Sequence, residues 1–138
     1  MANPTITNND PRGLVLFNGI YRDAQVKRGA AGTLLKGTIL AFDETTNTYL
    51  PTQIPGTAGL DDNAKAIMPA DLVFAGTETQ NYRLLVGGEV DENLLVFFDG
   101  ASTAETVVTG TGDTIRTQLR AYGINLNDVT DDSVLDNQ

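Results

Sequence analysis

The chain has 138 residues, of which 41% are hydrophobic, and its nine basic and 18 acidic side chains give a net charge of −9. This size predicts one domain with a single core, and the negative charge argues against a protein that binds nucleic acid through the phosphate backbone. Cysteine and histidine are absent, which excludes disulfides, thiolate nucleophiles, histidine bases and the usual zinc sites. We therefore expect a non-enzymatic protein with no cofactor and no bound metal.

The first twelve residues are polar, contain two prolines and show no period, which predicts an extended amino-terminal arm at 1–12. They lack the pattern of a secretory signal, and no apolar run is long enough to cross a bilayer, so we expect neither export by the general secretion route nor a membrane partner. The arm is either a frayed terminus or a segment that orders by adding a strand to a partner's sheet. The residues that would form this strand are Pro4, Thr5, Ile6 and Thr7.

Short apolar runs between turn residues predict a mainly β domain over 13–124. The run 14–21 contains Asn18 and Gly19, which favour a bulged strand or a very small hairpin. The run 33–42 bends at Gly37 into two short strands, and a strand at 48–51 ends at its proline. After a surface loop at 53–63, short strands follow at 64–68 and 72–75.

The segment 82–100 holds two apolar runs, 84–86 and 94–98, separated by glycine, acidic residues and asparagine. This pattern predicts two buried β elements joined by a turn. Glu89, Asp91 and Glu92 lie in the turn, and paired carboxylates can divide the acid and nucleophile roles of glycoside hydrolysis. Their spacing across a turn is more simply that of a solvated tip.

One helix is predicted at 113–122, capped by Asp113, with Ile115, Leu119 and Tyr122 on one face. Gly123 follows where a left-handed C-cap is expected. Arg116 and Arg120 lie four residues apart on another face, where they are either solvated or in contact with an acidic partner. Residues 125–138 contain four aspartates and no basic residue, which predicts an acidic carboxy-terminal tail.

Six short segments follow one another between residues 26 and 124. They are Lys-Arg-Gly at 27–29, Gly-Thr-Leu-Leu-Lys-Gly at 32–37, Thr-Tyr-Leu-Pro at 48–51, Ala-Lys-Ala-Ile-Met at 64–68 with Asp71, Leu-Val-Gly-Gly-Glu-Val at 85–90 and Leu-Arg-Ala-Tyr-Gly-Ile at 119–124. In this order they resemble the head-decoration proteins of lambda-like tailed bacteriophages. The connection at 101–112 and the chain after residue 124 have no counterpart in that family.

The resemblance implies a small β-clip or β-tulip-like domain that forms a homotrimer. Such trimers bind at local three-fold positions on the outside of an expanded phage head, where they clamp neighbouring subunits of the major capsid protein. The expected location is then the outer surface of the virion, and the host cytoplasm during assembly, with no nucleic-acid or membrane partner. We expect the arm and the base that contact the capsid to include Pro4, Thr5, Ile6, Thr7, Leu14, Leu16, Phe17, Lys27 and Arg28. Further candidates for trimer or capsid contacts are Tyr82, Arg116 and Arg120.

Two other hypotheses remain open from the residues alone. An acidic β domain with exposed tyrosines, such as Tyr21, Tyr49 and Tyr82, could be a carbohydrate- or receptor-binding module on a virion surface, because tyrosine rings stack on sugars. A small hydrolase that uses the carboxylates of 89–92 ranks last, since no residue suggests a substrate.

Overall fold

The computed structural model describes residues 13–53, 63–98, 100, 102–107 and 112–128. The predicted arm at 1–12, most of the predicted loop at 53–63 and residues 129–138 of the predicted tail lie outside these residues. In chain order the elements are β1 (Val15–Lys27), β2 (Gly32–Leu34), β3 (Ile39–Asp43), β4 (Thr48–Pro51), β5 (Ala64–Ile67), β6 (Leu72–Phe74), β7 (Thr79–Asp91), a 3₁₀ turn (Glu92–Leu94), α1 (Ile115–Ala121) and β8 (Ile124–Asn127). The prediction of a mainly β domain with one short helix is confirmed.

Five strands pair into a closed ring. The sheet order is β1-β4-β3-β5-β7-β8, and β1 also pairs with β7. The antiparallel β1–β7 ribbon is continuous from Val15 opposite Val90 to Lys27 opposite Thr79, apart from its irregularities near Phe17. By contrast, β1 meets β4 at one residue pair and β5 meets β7 at one. The ribbon therefore diverges from the β4-β3-β5 sheet on either side of these two junctions.

The sheet is buried on both faces in β3, in β5 and in β7 from Leu84 onward, whereas most of β1 and residues 79–83 of β7 are exposed or half-buried. Neighbouring residues of one strand point into different clusters, as Ile39 and Leu40 do in β3 and Leu84 and Leu85 do in β7. The first cluster packs under α1 and β8 and comprises Leu14, Ile39, Ala64, Ile67, Leu85, Val90, Ala104, Ile115, Leu119, Ile124 and Leu126. The second comprises Val26, Leu34, Leu40, Tyr49, Ala66, Met68, Phe74 and Leu84. Where a strand is buried on both faces, apolar and polar residues do not alternate along it, which explains the short continuous apolar runs in the sequence.

The two bends predicted from glycine and asparagine are present. β1 is a single strand with register shifts around Phe17 and Ile20, and Asn18 has a φ of 53°, so the bulged strand is correct and the small hairpin is not. Gly37, with a φ of 93°, separates β2 from β3. Its N–H donates to the carbonyl of Met68 at 2.8 Å and its carbonyl accepts from Val96 at 2.9 Å.

The prediction for the segment 82–100 is wrong in two respects. β7 continues through the expected turn as far as Asp91, because β8 pairs with residues 88–91 and gives that backbone a hydrogen-bonding partner. The second apolar run forms no strand: a 3₁₀ turn capped by Asp91 precedes it, and Val96 makes only an isolated bridge to Thr38. A pairing between distant segments thus overrides local turn chemistry.

The helix begins and ends differently from the prediction. Its cap is Thr114, whose side-chain oxygen accepts from the N–H of Thr117 at 3.1 Å, and not Asp113. Tyr122, predicted on the buried face, is 46% exposed because the helix has already ended at Ala121. Gly123 has the expected left-handed conformation, with a φ of 95°.

The predicted domain boundary at residue 124 is also wrong. Residues 125–127, assigned to the tail, belong to β8, which lies parallel to β7. Leu126 is buried in the first cluster. Gln118 of α1 accepts from the N–H of Ala64 at 3.0 Å, so the helix that leads into β8 is fixed to β5. The fold therefore includes the chain at least as far as Asn127.

We predict that Gly37→Ala destabilises the protein more than Gly29→Ala. Both glycines have positive φ, 93° and 90°, so each substitution carries a similar backbone strain of about 1–2 kcal/mol. Only at Gly37 would a Cβ also overlap the carbonyl oxygen of Leu94, whereas nothing lies near Gly29. The expected loss for Gly37→Ala is about 2–4 kcal/mol, measured by urea denaturation. Equal losses would contradict a role for the contact with Leu94.

Candidate functional site

The divergence of the β1–β7 ribbon from the β4-β3-β5 sheet is accompanied by a cleft of about 620 Å³, which we name the β1 cleft. It is lined by Arg22, Asp23, Ala24, Gln25, Phe42, Asn47, Tyr49, Lys65, Asn81, Val86 and Tyr122. These residues come from five strands, the β3–β4 turn and the end of α1. Ligand sites commonly lie at such openings in closed sheets.

Aromatic rings hold a lysine in the β1 cleft. The Nζ atom of Lys65 lies 4.8 Å from the centroid of the Tyr122 ring and 5.3 Å from that of Phe42. Phe42 in turn packs against Tyr49 with ring centroids 4.9 Å apart. A cation over a ring is attracted by its quadrupole, by about 0.5–1 kcal/mol at a solvated site. The ammonium of Lys65 is therefore oriented by two elements that are distant in sequence.

The cleft is more basic than the protein as a whole. Within the described residues, neither Arg22 nor Lys65 forms an ion pair. Asp23 is the one acidic residue of the lining, and its carboxylate pairs with Arg83 at 3.2 Å. Two basic residues without an ion pair among the described residues thus line the same cleft in a chain of net charge −9.

The β3–β4 turn that presents Asn47 to the cleft is organised by Asp43. Its carboxylate accepts from the hydroxyl of Thr46 at 2.7 Å and from the N–H of Thr45 at 2.9 Å, and Lys27 lies 3.6 Å away. The hydrogen bond from Thr46 is the main cause that lowers the pKa of Asp43 below its ordinary value. Asn47 adopts a left-handed φ of 57°, which asparagine tolerates better than most residues.

Several residues predicted to form the capsid-binding base have other partners. Leu14 is buried in the first cluster, at 2% exposure, so it cannot be part of an exposed apolar base. Lys27 pairs with Asp43. Arg28 folds back to donate to the carbonyls of Ala30 and Ala31 and lies 5.4 Å from the ring centroid of Phe98.

The other residues predicted to contact the capsid lie in β1 or outside the described residues. Leu16 is half-buried and Phe17 lies in β1. Pro4, Thr5, Ile6 and Thr7 lie outside the described residues.

Arg116 joins three elements and is not a free surface cation. Its guanidinium donates to both carboxylate oxygens of Glu92, at 2.8 and 3.1 Å, and to Glu105 at 2.7 Å. It also donates to the carbonyl of Leu126 at 3.4 Å. These carboxylates, Glu92 foremost, raise the pKa of Arg116. Arg120, by contrast, is exposed, and Tyr82 is half-buried against the second cluster.

The three carboxylates of 89–92 do not form a solvated tip. Asp91 is buried and accepts from the N–H of Asn93 at 3.0 Å, Glu92 binds Arg116, and Glu89 accepts from the amide of Asn127. Each acidic side chain thus has its own structural partner. The prediction of solvation is wrong because β8 and α1 cover this end of β7.

Sequence reasoning named Tyr49 as an exposed ring that could contact a sugar, but Tyr49 is buried in the second cluster, and the β1 cleft that it borders was not found. Its lining residues are scattered between positions 22 and 122 and meet only when the strands pair. One local signal was available: Lys65 interrupts an otherwise buried strand, Ala-Lys-Ala-Ile. A charge at such a position needs a partner or a route to solvent.

Comparison of the chain with family models, curated proteins and solved structures finds no significant match. Within the part of the chain that the structure describes, no group of three or more acidic side chains could hold a metal ion. In the same residues, no helix is long and apolar enough to span a bilayer.

We predict that Arg116→Gln lowers the free energy of unfolding by about 1–3 kcal/mol, because it leaves the half-buried Glu92 without its charged partner. Arg120→Gln removes the same charge from the same helix, and we expect a loss of no more than about 0.5 kcal/mol. Urea denaturation of both variants measures the difference. If the two variants are equally stable, the ion pairs of Arg116 contribute nothing to stability.

We predict an acid-sensitive contribution from Asp43. Its folded pKa lies below the ordinary value of 3.8, so the unfolded chain takes up a proton first as the pH falls. The stabilisation is therefore present above pH 3.8 and is lost as the pH falls through the folded pKa. Thr46→Val, which removes the main cause of the lowered pKa, should flatten the pH dependence of unfolding in this range.

Thr45→Val is the matched control for that experiment. Thr45 bonds to Asp43 through its backbone N–H alone, so loss of its hydroxyl should leave the pH dependence unchanged. A control that flattens the curve as much as Thr46→Val would show that the hydroxyl of Thr46 is not responsible.

Proposed function

We propose that the protein is a non-enzymatic decoration, or cement, protein that binds the outside of an expanded bacteriophage head. In this proposal it forms homotrimers at local three-fold sites, contacts the major capsid protein and stabilises the shell against the pressure of the packaged genome. Its location is the virion surface, after a period in the host cytoplasm.

The observation that carries this proposal is the ordered resemblance of six segments to head-decoration proteins. The segments coincide largely with the framework of the fold: they fall in β2, β4, β5 and β7, at the bends on either side of β2, and at the junction of α1 with β8. They therefore include elements of the closed ring and its two cores. A resemblance in framework segments supports a shared fold more strongly than one in surface loops.

The exposed surface supplies groups suited to protein contacts. Ile20 and Val73 are large apolar side chains at 60% and 68% exposure, and Leu35 is half exposed at 48%. Apolar groups of this kind can be covered in a symmetric assembly or on a shell. Weak contacts repeated over many sites add up through avidity, so no single interface needs to be large.

The internal partners of Leu14, Lys27, Arg28 and Arg116 alter the proposed contact set. Arg120, which was predicted to contact the trimer or the capsid, is an exposed cation. We therefore assign trimer or capsid contact to Arg120 and to the exposed apolar residues Ile20, Leu35 and Val73. The arm at 1–12 remains a proposed strand that adds to the capsid protein.

The test is co-sedimentation of the purified protein with empty, expanded heads assembled from the capsid protein encoded alongside it. We expect saturable binding of three copies per local three-fold site, and greater resistance of the decorated heads to heat. Unexpanded heads are the matched control and should bind less. Absence of binding to expanded heads would overturn the proposal.

Deletion of residues 2–12 separates the role of the arm from that of the domain. The shortened protein should keep its thermal transition, because the deletion leaves intact every described residue of the two core clusters, and it should lose binding to expanded heads. Normal binding by the shortened protein would show that the arm is dispensable.

A carbohydrate- or receptor-binding module is the second candidate function. The β1 cleft favours it, because aromatic rings and amide side chains together are the groups that bind sugars. This function and shell binding do not exclude each other, since a decoration protein exposes one surface outward from the head.

A further inference from the structure

We propose that the β1 cleft binds a short saccharide that carries carboxylate groups. This inference rests on the second candidate function, carbohydrate binding, and does not depend on binding to a phage head. It is carried by the size of the cleft, by its unpaired cations and by the mixture of rings and amides in its lining.

The cleft has the size of a small-ligand site. Its volume of about 620 Å³ falls in the middle of the range for such pockets, roughly 300–1,000 Å³. Strands line it on two sides, and the pairs Val26–Tyr49 and Ile67–Leu85 fix the relative positions of the ribbon and the sheet. The lining is therefore largely formed before a ligand arrives.

The cations indicate the charge of the ligand. Lys65 is held against the rings of Phe42 and Tyr122, and Arg22 of β1 is also among the residues that line the cleft. A ring attracts an ammonium ion but does not neutralise it, and neither cation has a carboxylate partner among the described residues. An acidic ligand would supply that partner through charge-assisted hydrogen bonds.

The other lining groups indicate a sugar. Gln25, Asn47 and Asn81 each offer both a donor and an acceptor, which matches the hydroxyl groups of a saccharide. The rings of Phe42 and Tyr122 offer apolar area for the C–H face of a sugar ring.

Asp23 is the one lining group that opposes an anion. Its carboxylate is already paired with Arg83, and it can accept from sugar hydroxyls. The net charge of the lining, two cations against one acid, remains positive.

Alternative anions fit the lining less well. Phosphate sites are typically built from clustered arginines or from convergent backbone N–H groups, and the cleft has one arginine on an extended strand. A nucleic acid would extend beyond the cleft, so its other phosphates would meet the repulsion of a chain with net charge −9, whereas a short saccharide contacts only the cleft.

The experiment is a calorimetric titration of the full chain with a short oligomer of galacturonic acid. The methyl-esterified oligomer is the matched ligand control, because it has the same rings and linkages without charge. We expect saturable binding of the acidic oligomer that is at least about tenfold tighter than that of the ester, the difference expected for one charge-assisted hydrogen bond. Inorganic phosphate at the same ionic strength should not compete.

Variants then locate the site. Lys65→Gln and Arg22→Gln should each weaken binding of the acidic oligomer by about tenfold and leave binding of the ester unchanged. Lys36→Gln makes the same change of charge at an exposed position outside the cleft and should have little effect. Thermal unfolding shows whether each variant is folded. If Lys65→Gln does not fold, the Arg22→Gln variant provides the test, because Arg22 is exposed on β1.

Failure of the acidic-saccharide site can be distinguished from failure of carbohydrate binding in general and from failure of binding to a phage head. Equal affinity for the acidic oligomer and its ester would overturn the inference while leaving a carbohydrate-binding module in place. Lack of binding to both would overturn the site and the second candidate function together, and would leave shell binding untouched. A loss in Lys36→Gln as large as in Lys65→Gln would show a general effect of charge and would also overturn the site.

Discussion

The antiparallel pairing of β1 with β7 is the interaction on which the rest of the structure depends. These are the two longest strands, 13 residues each, and they join the beginning of the described chain to its middle. One edge of β7 remains available for β5 and β8, and β1 reaches β4 at its far end. The ribbon therefore closes the ring, divides the two cores and, where it diverges from the other strands, leaves the β1 cleft.

Five of the nine cations of this acidic chain form two groups that differ in their partners. Lys27 and Arg116 pair with carboxylates of other elements. Arg28 donates hydrogen bonds to backbone carbonyls of the turn that follows it. Arg22 and Lys65 face the cleft without such partners. Desolvated or half-buried charges are stable only when paired or bonded, so the first group is explained by the fold itself. The second group is the one that calls for a function.

The two proposed functions use different parts of the molecule. Contact with a phage head would involve the arm at 1–12 and exposed apolar side chains such as Ile20 and Val73. Saccharide binding would involve the cleft between the ribbon and the sheet. A domain with two buried core clusters can support both, because neither requires the core to rearrange.

The sequence by itself determined the class of fold, most of the short strands, the bend at Gly37 and the left-handed C-cap at Gly123, and at Asn18 it left a bulge and a small hairpin as alternatives. These features follow from local backbone preferences and from apolar runs. Only the tertiary structure decided that β7 continues through its two glycines, that residues 125–127 form a strand, that Arg116 is paired, and that Lys65 and Tyr122 meet in a cleft. The reason is that each of these depends on a partner distant in the chain: a neighbouring strand supplies the hydrogen bonds of β7 and β8, and packing of five strands and a helix brings the cleft residues together.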